Sequence, residues 1–100
     1  MKLYNAIEEL HLDNLKSDDV KYRLSDAFDQ EEVINTTKLF LKGIGKRHEI
    51  SGKIIYPMQD MIYQFQEDGS ITRDQKIYLV SMMLDHWDQF GLEARANLMI

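Results

Sequence analysis

The chain has 100 residues, 44% hydrophobic and 29% charged, the balance of an ordinary globular domain rather than of a disordered segment. It contains no cysteine, which excludes disulfides, thiolate metal sites and cysteine nucleophiles. A formal net charge of −5 argues against a protein built chiefly to grip phosphate backbones.

The length fits a single domain over residues 1–100, and a chain of this size removes roughly two-thirds of its unfolded-state surface from water. The longest near-apolar run, residues 77–84, is interrupted by Ser81 and is too short to span a bilayer. The opening "MKLYNAIEEL" puts Glu8 and Glu9 where a signal peptide needs its apolar region. A soluble, cytoplasmic protein without membrane association is expected. Its charge is uneven. Residues 1–35 hold nine acids and four bases, residues 54–100 seven acids and three bases, and residues 36–53 five bases and one acid.

In chain order, Leu3, Ile7 and Leu10 mark one face of a first helix. Ser17 is placed to cap a second, with Asp18 and Asp19 at the positive end of its dipole and Val20, Leu24, Ala27 and Phe28 on its buried face. Asp29 with Glu32 has the spacing of a capping box for a third helix. Its inward stripe is Val33, Thr37, Phe40, Leu41 and Ile44, and Gly43 and Gly45 end it. Residues 46–56 are the least regular part, with 53–56 the best candidate for extended structure. Pro57 is then expected at the first position of a fourth helix, which Met58, Met61, Ile62 and Phe65 line.

The connection "QFQEDGSITRDQ", residues 64–75, is similar to an EF-hand loop at Asp68, Gly69 and Ile71. Positions one, three and twelve hold Gln64, Gln66 and Gln75, neutral amides where a hard cation needs carboxylates, so calcium is not expected. The better mechanism is a turn: Asp68-Gly69 for the reversal, Thr72 as N-cap, and Gln75 three residues on to close a capping box. A fifth helix over 73–90 is apolar around most of its circumference, which predicts a helix surrounded by others, with Met83 and Trp87 in the core. Gly91 stops it, and "LEARANLMI" has the makings of a short final helix. The fold class is all-α, a compact bundle of five to six short helices.

No chemistry-bearing motif closes. In "KGIGKRHEISGK", Gly45-Lys46 is followed by Arg47 and Gly52-Lys53 by Ile54, so the Ser or Thr of a phosphate-binding P-loop is absent, as is its first glycine at Phe40. His86 points about 100° away from Asp85 on a helix, and His11 and His48 are distant in sequence, so it reads as polar surface rather than as a metal ligand. Met58, Met61, Met82, Met83 and Met99 have the spacing of core residues more than of a binding groove. No serine sits in a nucleophile elbow, and no enzyme activity, cofactor or metal is expected.

The expected function is that of a small acidic protein which binds a macromolecular partner, a protein in the first place, and modulates or inhibits it; if that partner is a nucleic-acid-binding protein, the acids would stand in for phosphates. Inhibitors, toxin-immunity proteins and phage anti-defence proteins, anti-CRISPR proteins among them, share this size and character. The acidic face for such binding is Asp18, Asp19, Glu31 and Glu32. The alternative is an accessory protein that touches nucleic acid through Lys42, Lys46, Arg47, His48 and Lys53.

Overall fold

A computed structural model describes residues 2–10, 17–44 and 52–87. These form five helices: α1 (Leu3–Glu8), α2 (Asp18–Ala27), α3 (Gln30–Ile44), α4 (Gly52–Asp68) and α5 (Arg73–Asp85). The described residues contain no strand, and the all-α bundle expected from the periodicity is the observed fold. The stretch expected to make a sixth helix lies outside the described residues.

Helix α5 is central. It packs against α2, α3 and α4, and its buried residues Leu79, Val80, Met83 and Leu84 leave no broad polar face. This is the arrangement its all-round apolar sequence requires. The polar path along α3 and α5 fixes their relative direction. The Gln30 side chain, at the start of α3, bonds the backbone of Ile71 just before α5, and Thr37 lies 3.7 Å from the Met83 sulfur further along. The two helices therefore run parallel, with α2 and α4 returning in the opposite direction beside them. Arg73 at the start of α5 meets Asp26 near the end of α2, and Lys21 near the start of α2 meets Asp85 at the end of α5.

Helix α1 runs along the core, its first residue bonded to Glu32 in the first turn of α3 and its last bonded to Trp87 just past α5. Leu3, Tyr4 and Ile7 are buried. Trp87, just past α5, lies parallel to the Phe40 ring at 6.0 Å and tilted at 45° to Tyr4, 5.6 Å between centroids. Its indole N–H donates to the Glu8 carboxylate at 2.9 Å, so the buried ring keeps its one polar group satisfied. An aromatic trio of this kind contributes about 0.5–1.5 kcal/mol per ring pair beyond the area it buries.

Four local expectations change. Ser17 does occupy the N-cap backbone position of α2, but its side chain makes no capping bond. The expected inward face of α2 holds at Val20, which is buried, and at Leu24 and Phe28, which pack half-buried against the core, but Ala27 is exposed and Ser25 is fully buried in its place. Lys21, one turn before Ser25, places its ammonium 2.8 Å from Asp85 at the end of α5. Helix α4 begins at Gly52, so residues 53–56 are helical and Pro57 lies inside the helix rather than at its first position. An interior proline costs about 3 kcal/mol relative to alanine, and burial of Met58 and Ile62 immediately beyond it offsets that. Helix α5 stops at Asp85 rather than 90. His86 is its C-cap, half-buried rather than on a helix surface, and its N–H still bonds the Met82 carbonyl. Residues 88–91 lie outside the described residues.

Candidate functional site

The reversal between α4 and α5 is the best-specified turn in the chain. Gly69 has φ +78°, the left-handed region that a side chain disfavours, and nothing lies within 4 Å of where its Cβ would be. Thr72 and Gln75 form a complete capping box. The Thr72 hydroxyl accepts from the Gln75 N–H at 3.1 Å, and the Gln75 side-chain oxygen accepts from the Thr72 N–H at 2.9 Å. The same Gln75 amide makes a reciprocal pair with Gln64, at 3.0 and 2.9 Å. The first and last ligand positions of the calcium-loop alignment thus satisfy each other. Among the described residues, no group of three or more histidines, aspartates and glutamates is placed to hold a metal ion.

Gln30 ties this turn to the α2–α3 junction. Its amide nitrogen donates to the Ile71 carbonyl at 2.8 Å, and its amide oxygen accepts from the Ile71 N–H at 3.0 Å, a side chain standing in for a neighbouring strand. The Arg73–Asp26 pair, at 3.2 Å, is a second tie. Two turns distant in sequence are thereby brought to one end of the bundle, and their exposed acids come with them. Asp26, Asp29 and Glu31 come from one turn, and Glu67, Asp68 and Asp74 from the other. Described cations also reach this end: Arg73 is engaged with Asp26, and Lys2 is exposed next to Leu3, whose N–H bonds Glu32.

The four acids of the expected face divide into two places. Asp18 and Asp19 lie in the first turn of α2, and Glu31 and Glu32 in the first turn of α3, at opposite ends of a ten-residue helix about 15 Å long. Asp18 and Glu31 are exposed, as is Asp19, which pairs with Arg23 one turn on at 3.0 Å. That pair is open to solvent and adds little. Glu32 is structural. Half-buried, it accepts the backbone N–H of Leu3 at 2.8 Å, with the Thr36 hydroxyl 3.5 Å away. It satisfies one of the unpaired donors at the N-terminus of α1 instead of returning to its own helix start, so the expected capping box at α3 is half-formed: the Asp29 carboxylate accepts the Glu32 N–H at 2.8 Å. Of the basic set, Lys42 is exposed in the last turn of α3 and Lys53 is exposed near the start of α4, at the end of the bundle opposite the acidic one. Lys46, Arg47 and His48 lie outside the described residues.

Sequence reasoning missed that Asp26, Asp68 and Asp74 share one end of the bundle with Glu31. The one signal that points there is local: Glu67 and Asp68 close α4, and the last turn of that helix holds no base. Carboxylates at a helix C-terminus face the negative end of the dipole. No described helix is long and apolar enough to cross a membrane. Comparison of the chain with family models, with curated proteins and with solved structures returned no match.

Proposed function

We propose that the protein acts by binding rather than by catalysis, presenting the acidic end of its bundle to a basic site on a partner protein and occluding that site. Partners whose basic sites hold nucleic acid fit best, because carboxylates fixed on helix ends substitute for phosphates. Inhibition of the anti-defence or immunity kind is then a matter of occupancy, with opposite charge steering the encounter.

The observation that carries this reading is the pair Glu67 and Asp68. Asp74 and Glu31 sit at helix N-termini, where a carboxylate stabilises its own helix, so their presence needs no partner to explain it. Glu67 and Asp68 sit at the opposite kind of end, exposed, where the dipole disfavours a carboxylate; Asp68 also serves the Asp-Gly turn, which leaves Glu67 the clearer case. A local rule broken with no compensating ion pair or hydrogen bond among the described residues points to a role outside the fold.

Replacing both residues, Glu67→Gln with Asp68→Asn, separates the two effects. Thermal melts are expected to show a slightly more stable protein. Retrieval of a partner from nuclease-treated native extract is expected to fall, with a flatter dependence on salt. Unchanged retrieval by the stabilised variant, or tighter partner binding, would contradict the proposal. Loss of the partner on nuclease treatment alone would favour direct nucleic-acid contact instead.

A further inference from the structure

A second surface, along the seam of α3 and α4 and reaching up to the acidic end, has different chemistry. Between the antiparallel helices α3 and α4 runs an open groove of about 300 Å³, lined by Lys38 and Leu41 from one side and Gln59, Ile62, Tyr63 and Gln66 from the other. Ile62 is buried and Leu41 half-buried, which makes an apolar floor. Tyr63 forms a wall and is 64% exposed, a large aromatic surface left to solvent. Lys38 is the one charge in the lining.

We infer that this groove takes an extended acidic peptide segment of a partner protein, with a carboxylate against Lys38 and an apolar side chain on Leu41 and Ile62. Three features choose that occupant. Gln59 and Gln66 are seven residues apart on α4, hence about 10.5 Å along its axis. That separation spans about three residues of extended chain. Each amide offers one acceptor and two donors, the complement of backbone C=O and N–H groups. The single lining charge is positive, and Lys42 is exposed one turn further along α3, so an acidic side chain is favoured at this rim of the groove. Nucleic acid is disfavoured, because Asp60 and Glu67 are exposed on the neighbouring turns of α4. The inference is independent of the acidic end as a binding site.

Panning a displayed library of random linear heptapeptides on the immobilised full chain tests it, with counter-selection on the Lys38→Glu variant. Enriched sequences are expected to carry Asp or Glu within three positions of a bulky apolar residue. A fluorescent synthetic copy of the enriched sequence, followed by anisotropy, is expected to bind Lys38→Glu about tenfold more weakly. The Gln59→Ala/Gln66→Ala pair should also lose affinity, while Glu67→Gln/Asp68→Asn keeps it. The substituted positions of the groove variants are all exposed, so their melting curves should stay close to that of the parent. No enrichment, enrichment without an acidic residue, or full affinity in Lys38→Glu would overturn the inference. So would a sedimentation experiment in which the chain dimerises and Lys38→Glu dissociates it, since the occupant would then be a second copy.

Discussion

Replacing Gln30 by alanine tests the tie that assembles the acidic end. The substitution removes both partners of the Ile71 backbone at once, its N–H at 3.0 Å and its C=O at 2.8 Å. Ile71 is only 4% exposed, so these groups are poorly placed to recover water. An unsatisfied buried donor or acceptor costs about 1–3 kcal/mol each. Two would cost about 2–6 kcal/mol, and the half-exposed position of Gln30 favours the lower half of that range because water can follow the missing amide. In a domain of this size the loss corresponds to a fall in Tm on the order of 10–20 °C. Urea unfolding followed by circular dichroism at 222 nm supplies the stability, with the slope checked for two-state behaviour. Gln30→Glu sharpens the test. It keeps an acceptor for the Ile71 N–H but has a donor for the Ile71 carbonyl only when protonated. The neutral form is then favoured in the fold, the folded pKa of the new carboxyl lies above its unfolded value of about 4.3, and the native state binds the extra proton. Stability relative to the parent should therefore fall as pH rises through that unfolded value and be recovered on acidification. A loss under about 0.5 kcal/mol in Gln30→Ala would refute the role assigned to this amide.

Met83→Ala is expected to destabilise by about 2–5 kcal/mol, since the side chain is fully buried in the central helix beside Thr37; a loss near zero in a denaturant titration would mean that α5 presents another face to the core. Added calcium is expected to change neither the far-UV spectrum nor Tm, because Gln64 and Gln75 are bonded to each other and bring no charge to the loop. A calcium-dependent rise in Tm would refute that reading.

Much of the fold was legible in the sequence because periodicity and local chemistry are nearest-neighbour properties. The Thr72–Gln75 box, the reversal at Gly69 and the enclosed character of α5 follow from residues within one or two turns of each other. Pro57 was misread because propensity favours a helix start there, and tertiary burial of the residues around it prevailed. On α2 the burial of Ser25 and the exposure of Ala27 were missed because they depend on packing against α5, where Lys21 meets Asp85, 64 positions away. The same limit hid the site. Glu32 carries the sequence signature of a cap for its own helix, yet it serves α1, and nothing within α3 announces that. Glu31 comes to the same end of the bundle as Asp68 and Asp74 only through Gln30 and Arg73, contacts that span more than 40 residues.

The two proposed surfaces share α3, and the charges along that helix decide how far they interfere. Glu31 lies at its acidic end, Lys38 seven residues on in the groove, and Lys42 a further turn toward the basic end. The rise of a helix puts Glu31 about 10.5 Å and Lys42 about 6 Å from Lys38 along the axis. At physiological ionic strength the screening length is about 8 Å, so an acidic side chain seated on Lys38 feels Lys42 more than it feels Glu31. A bound segment should accordingly carry its carboxylates toward the Lys42 end and lie with its neutral or basic end toward Glu31 and Glu67. Lowering the salt lengthens the screening distance and brings the acidic end into play, so an acidic peptide should gain less affinity at low salt than a basic partner bound at the acidic end. That difference in slope distinguishes the surfaces without any substitution. Equal slopes for the two ligands would mean that they share one site.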